Sequence, residues 1–185
     1  CKSVLKSNGS LYISCTQHNI GELTIAAKEL GFELKNILTW YKVNAMPNIT
    51  KRTFTHSTEF VLWFVKGKNW IFNYDEVKKF NPNKTLKGED KQMRDFLDFI
   101  ELPIVQGKER LRGDDGRALH PTQKPVKLLE LIVLASSNEG EIVLDPFFGS
   151  GTTGYVAQRF NRKWIGIETD KKYIKAAKER LKNVF

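Results

Sequence analysis

Apolar and polar positions change period several times along this chain, and each change marks an element. Residues 10–14 (Ser-Leu-Tyr-Ile-Ser) follow an Asn8-Gly9 turn and predict a strand. Over residues 20–30, Leu23, Ala26, Ala27 and Leu30 recur at helical spacing, and Gly31 is placed to stop the helix. Residues 34–40 read as a strand, 45–55 with Pro47 as a polar loop, and 59–65 as a second, buried strand ending at Lys66-Gly67. Through residues 68–119 the periodicity weakens and Lys, Asp, Asn and Gly dominate, with short helices expected near 75–80 and 91–100. That stretch reads as an insertion with a surface function or as a connection. Order returns at His120. Pro125 suits the first turn of a helix over 126–136, which is apolar nearly all round and therefore buried. A strand over 141–145, a helix over 152–160 and a strand over 163–168 follow. Asp170 then caps a helix striped by Tyr173, Ile174, Ala177 and Leu181. Strands alternating with helices predict an α/β fold, a mainly parallel sheet with helices on both faces.

Composition narrows the class. The chain has 185 residues, 41% of them hydrophobic, enough for one domain with a core and short for two. No apolar run approaches the roughly 20 residues of a membrane helix, and the start carries no secretory pattern. The two cysteines, Cys1 and Cys15, have no metal-ligand spacing, which predicts no metal site and a reducing, cytoplasmic setting. The net charge of +9 favours an acidic partner such as nucleic acid, but the excess is spread along the chain, so any footprint must be assembled by folding. The first residue is Cys1, and residues 1–7 read like the end of a helix, which predicts a fragment that begins in mid-fold.

The densest chemistry lies at residues 142–153 (Ile-Val-Leu-Asp-Pro-Phe-Phe-Gly-Ser-Gly-Thr-Thr). An apolar strand ends in an acid, a glycine-rich turn follows, and a helix begins, which is the outline of a cofactor-binding strand–turn–helix. Gly149-x-Gly151-x-x-Gly154 alone matches the dinucleotide fingerprint, and Glu168 stands at the next strand tip, where a carboxylate holds ribose hydroxyls. That local pattern does not separate a dinucleotide from another adenosyl ligand. Asp145 does: a carboxylate beside the turn disfavours a pyrophosphate and suits a ligand with a positive group, such as the α-ammonium of S-adenosylmethionine. The alternative for Asp145 is an Asx turn or a helix cap. Upstream, His120-Pro121-Thr122-Gln123-Lys124-Pro125 forms a rigid segment presenting Thr122, Gln123 and Lys124 at a helix start. His120 by itself reads as structural.

Residues 120–125, then 145–153, then Ile165-Gly166-Ile167-Glu168, in this order, resemble the C-terminal third of the β-class DNA amino-methyltransferases. Residues 39–44 (Thr-Trp-Tyr-Lys-Val-Asn), Pro47-Asn48 and 54–59 (Phe-Thr-His-Ser-Thr-Glu) resemble the small adenine-N6 methylases of restriction–modification systems. The resemblance implies a Rossmann-like S-adenosylmethionine-dependent methyltransferase fold, incomplete at the N-terminus. It implies a catalytic-half remnant in 1–67, a target-recognition insertion in 68–119 and an S-adenosylmethionine-binding half in 120–185. Asp145, Phe147, Gly149, Ser150, Gly151 and Thr152 would line the cofactor, Thr122 and Lys124 would frame its methionine end, and Glu168 would hold its ribose. Trp40, Asn44, Phe54 and His56 would lie near the groove that takes a flipped base of the DNA partner, although Trp40 on a strand also reads as core.

One departure outweighs the matches. The family's catalytic motif, Asp/Asn/Ser-Pro-Pro-aromatic, is expected upstream, and no Pro-Pro pair occurs anywhere in this sequence. The catalytic residues are therefore unassigned, and the chain alone is expected to be inactive. The expected function is site-specific adenine-N6 methylation of DNA. A cytosine-N4 enzyme, a non-catalytic nucleic-acid-binding remnant and a nucleotide-dependent oxidoreductase are the alternatives. The oligomeric state stays open, with an exposed sheet edge favouring pairing of two copies.

Overall fold

The computed structural model of the chain describes residues 1–94, 100–113, 115–182 and 184. They form two compact units, Cys1–Pro103 and Ile104–Phe185, so the division falls inside the stretch read as an insertion.

The first unit contains β1 (Ser10–Cys15), α1 (Ile20–Glu29), β2 (Glu33–Lys42), β3 (Thr58–Val65), the short α2 (Tyr74–Lys78) and β4 (Ile100–Leu102). Its four-stranded sheet has the order β1-β3-β2-β4. β3 is antiparallel to both β1 and β2, and β4 is parallel to β2. The sheet is thus mixed, where alternation had predicted a mainly parallel one. The reason is the β2–β3 connection. A parallel pair needs a crossover that returns the chain to the same end, usually through a helix. Here a loop joins neighbouring strand ends, and its base is closed by Lys42 N–H donating to the Ser57 carbonyl at 2.7 Å.

β3 lies between two partners, and every residue from Val61 to Val65 is buried, which matches its unbroken apolar run. Leu62 and Phe64 pack with Ala27 of α1 and with Phe32, and partly buried Leu11, Ile13 and Leu23 surround them. Burying each such large side chain contributes about 1.5–3 kcal/mol. Leu30, expected on the inner face of α1, is exposed at the helix C-cap instead. Residues 91–94 are not helical, and the rest of the helix expected over 91–100 lies largely outside the described residues.

The second unit runs α3 (Val126–Ser136), β5 (Ile142–Asp145), α4 (Thr152–Arg159), β6 (Lys163–Gly166) and α5 (Lys171–Lys182). β5 and β6 pair in parallel from Ile142↔Lys163 to Asp145↔Gly166, with α4 as the crossover. α3 buries Leu128, Leu131, Val133 and Ala135, as its composition predicts. Arg159 of α4 donates to Glu130 of α3 at 2.7 Å. The buried Arg162 is satisfied by the Ser137 hydroxyl and carbonyl and by the Phe160 carbonyl. Lys172 N–H donates to Asp170 Oδ1 at 2.7 Å, so Asp170 caps α5 as predicted. Among the described residues, no helix is long and apolar enough to cross a membrane.

Trp40 fixes the edge of the first sheet. It is 2% exposed, and its Nε1–H donates to the Leu102 carbonyl of β4 at 2.8 Å. Trp40→Phe keeps most of the apolar contact and should cost about 1 kcal/mol, the net worth of one hydrogen bond. Trp40→Ala should cost about 3–5 kcal/mol. Urea unfolding monitored by circular dichroism checks both.

Candidate functional site

The second unit gathers its chemistry where β5 and β6 end side by side. Parallel register puts Asp145 beside Gly166. Two further backbone bonds, Ile167 N–H to the Asp145 carbonyl and Phe148 N–H to the Ile167 carbonyl, both 2.9 Å, carry the pairing past the strand ends. The glycine turn after β5 is therefore laid against the tip of β6, where Glu168 begins. Gly149 and Gly151 take φ of 51° and 75°, a region that glycine enters at no steric cost. Space demands them too. A Cβ on Gly149 would stand 3.0 Å from His120 Nε2, and one on Gly151 would stand 2.8 Å from the Ala177 Cβ.

Two carboxylates flank this turn. Asp145 Oδ1 accepts the Phe147 N–H at 2.9 Å, and Oδ2 accepts the Thr153 hydroxyl at 2.6 Å. The Asx turn considered as an alternative is thus present, and it fixes the direction of the carboxylate. Glu168 accepts three backbone N–H groups: Gly149 on Oε2 at 2.8 Å, and Thr169 and Asp170 on Oε1 at 2.7 and 3.0 Å. These bonds, that from Asp170 foremost, hold its carboxyl below the usual range. Negative charge on both sides of the turn opposes a pyrophosphate at that spot and favours a cationic or hydroxyl-bearing ligand.

Six of the residues singled out from the sequence come together here: Asp145, Gly149, Ser150, Gly151, Thr152 and Glu168. Ser150 and Thr152 are buried, and Arg180 of α5 donates to the Thr152 hydroxyl at 2.8 Å. Phe147 points outward and is 89% exposed, while its neighbour Phe148 is buried and stacks on Trp164 with centroids 5.2 Å apart. Thr122 is exposed, and its N–H donates to His120 Nδ1 at 3.2 Å. Lys124 is half-buried. Between them Gln123 is buried as a clamp, its Oε1 accepting Leu111 N–H and its Nε2 donating to the Glu109 carbonyl. Glu109 in turn accepts the Val126 N–H at 2.7 Å and so caps α3.

The residues expected near a flipped base lie in the first unit. Trp40 is corrected to core: a buried indole whose N–H is already bound to a strand carbonyl offers no face for stacking. Asn44 is half-buried in the turn after β2. Phe54 is exposed, and His56 is on the surface, 3.0 Å from Gln17 and edge-on to His18.

Sequence reasoning missed two supports. Thr153 binds Asp145 from the first turn of α4, a placement readable only once that helix start is fixed. Arg180 reaches the turn from α5, which no local spacing signals. His120 has the structural role its sequence context predicts: its ring packs on Gly149 and lies 4.6 Å from the Tyr173 ring.

Burial pushes the His120 pKa down, with Lys124 and Arg110 adding to the shift and Glu168 opposing it. A lowered histidine and a lowered carboxylate both bind fewer protons folded than unfolded, so both contributions are present at neutral pH and lost on acidification. The His120 part should fade as pH falls below about 6.5, and the Glu168 part below about 4.3. Melting temperatures against pH should therefore flatten at the upper end in His120→Gln and at the lower end in Glu168→Gln. Gly151→Ala must accept both the left-handed φ and the Ala177 contact. It should cost at least about 2 kcal/mol in denaturant titration.

Known proteins resemble this arrangement along most of the chain. The N6_N4_Mtase family model, described as DNA methylase, matches residues 1–179. The type II methyltransferase M2.DpnII of Streptococcus pneumoniae is 43% identical over 183 residues, covering 97% of this chain and 63% of that protein. The type II methyltransferase M2.LlaDCHI of Lactococcus lactis subsp. cremoris is 42% identical over 181 residues, covering 96% and 62%. The chain thus spans slightly under two thirds of the length of these curated relatives. The crystal structure of an M1.HpyAVI–SAM complex superposes with a TM-score of 0.73 at 35% identity, over 95% of this chain and 76% of that one. The cytosine-N4-specific PvuII DNA methyltransferase, at 23% identity and a TM-score of 0.72, covers 95% of this chain and 64% of its own, and shares the fold. With its ordered motifs and a family match over residues 1–179, the chain belongs to the N6/N4 DNA methylases.

Proposed function

We propose that this chain takes part in S-adenosylmethionine-dependent methylation of DNA, with adenine N6 as the acceptor. One observation carries the cofactor reading. Asp145 and Glu168 stand at the tips of adjacent parallel strands and bracket the Gly149–Gly151 turn, with Glu168 bonded to the Gly149 N–H. Asp145, its direction fixed by Phe147 N–H and Thr153, suits the α-ammonium group. Phe147 offers an exposed apolar face, and Thr122 and Lys124 frame the methionine end. Glu168 suits the ribose. A carboxylate has about four lone-pair sites, and three are already used by backbone N–H groups. A diol that takes both hydroxyls to Glu168 must displace at least one of those N–H groups.

When bound, the cofactor supplies an activated methyl group on a sulfonium. The residues here would orient it and keep its charge paired. Residues 1–67 would contribute the sheet beside the reacting base, 68–119 the target contacts and 120–185 the cofactor half. Asn44, Phe54 and His56 would lie toward the base. Adenine is favoured over cytosine by the resemblance of 39–44, 47–48 and 54–59 to small adenine methylases. Because no Asp/Asn/Ser-Pro-Pro-aromatic motif occurs in these 185 residues, the chain alone should bind cofactor without turnover.

Isothermal titration should give heat with S-adenosylmethionine and none with NAD. Glu168→Ala should weaken S-adenosylmethionine about 10–100-fold, the worth of a hydrogen bond to a charged group. Tritiated methyl should appear on DNA adenine once a Pro-Pro-bearing segment of a relative is supplied in trans. Label on cytosine would move the assignment to N4, and tight NAD binding would overturn the cofactor reading.

A further inference from the structure

The β2–β3 connection, residues 43–57, exposes side chains that a loop usually hides. Phe54 is 95% exposed, Ile49 is 89% and Met46 is 74%. The loop is nevertheless built. Its base is closed by the Lys42–Ser57 backbone bond. Its tip is organised by Asn48, whose Oδ1 accepts Thr50 N–H at 3.0 Å and the Thr50 hydroxyl at 2.7 Å. Asn48 Nδ2 donates to the Thr53 carbonyl at 2.9 Å and to the Thr53 hydroxyl. Lys51 N–H closes the turn on the Asn48 carbonyl at 3.2 Å. Polar side chains thus bond inward to their own backbone while large apolar ones stay outside. Closed ends around a compact stretch make an Ω-loop, a form frequently functional. Lys51 and Arg52 are its formally charged residues, both exposed, and the stretch contains no Asp or Glu.

We propose that this loop is a wedge for duplex DNA, with Lys51 and Arg52 on the phosphates and Ile49 and Phe54 pressed against or between base steps. The proposal rests on the DNA reading above and goes beyond it by assigning the surface that distorts the duplex. Apolar wedges beside basic side chains are how proteins unstack and kink DNA. Extruding a base costs a few kcal/mol, and a preorganised wedge can offset part of that. Charge decides the partner: a patch with cations and no carboxylate complements a phosphate rail. A contact between two copies would bring these cations toward each other.

The test uses the 185-residue chain and a short duplex labelled at both ends for energy transfer. Affinity is followed between about 50 and 200 mM salt. For Lys51→Ala/Arg52→Ala the slope of log affinity against log salt should shrink by about two. For Ile49→Ala/Phe54→Ala the slope should persist, affinity should fall about tenfold, and the bend reported by energy transfer should vanish. Far-UV circular dichroism and the urea unfolding midpoint should stay unchanged in both, showing that the first unit stays folded. Wild-type binding with both pairs indistinguishable from it overturns the wedge alone. So does a wild-type dimer that Ile49→Ala/Phe54→Ala converts to monomer with DNA binding intact, which assigns the loop to a contact between copies. A wild-type chain that binds S-adenosylmethionine but no duplex overturns the DNA reading and the wedge together.

Discussion

The Gly149 N–H donates to Glu168 Oε2 across 2.8 Å, and through that bond the loop after one strand is held to the tip of the next. Parallel pairing ends at Asp145 and Gly166, and the two backbone bonds through Ile167 carry it only one step further. The carboxylate extends the association beyond the sheet. It also orders the first residues after β6, because its other oxygen accepts Thr169 and Asp170. Asp145 does the complementary work on its own strand, binding one residue of the turn and one of the helix that follows. Both acids thus shape the backbone before any ligand arrives. Their remaining lone-pair capacity is what a ligand would meet.

The first unit solves a different problem. β3 has partners on both edges and is buried along Val61–Val65, so it acts as the axis of the sheet. β1 and β4 are the edges, and among the described residues β4 is held by three registered residues and the Trp40 indole. Apolar side chains concentrate on that axis. The loop between β2 and β3 is free of any core duty, and its large side chains stay in solvent.

Much of this was legible in the residues. The helix over 126–136 and the strand–turn–helix at 142–160 emerged close to their predicted bounds, because long apolar runs and glycine turns are local signals. Strand direction was not legible in the first unit. Whether a strand returns parallel or antiparallel depends on where its connection crosses, and the loop of residues 43–57 carries no periodicity that reveals this. Trp40 illustrates a second limit. An aromatic on a strand faces either core or solvent, and the deciding partner, Leu102, lies 62 residues away. Arg180 and Thr152, 28 residues apart, meet only through the packing of α5. The Asx turn at Asp145 was legible, since the signal for it lies within two residues.

Phe148 shows how tightly the second unit ties unrelated positions. Its ring occupies volume that Gly151, Gly154 and Gly166 leave vacant, and a methyl group on Gly154 or Gly166 would overlap it. Three glycines, two on the turn and helix start just after it and one on the next strand, therefore answer to a single aromatic neighbour. Relatives that enlarge one of these glycines should carry a smaller residue in place of the phenylalanine. Sequence drift at these four sites should then proceed jointly, as one inherited block.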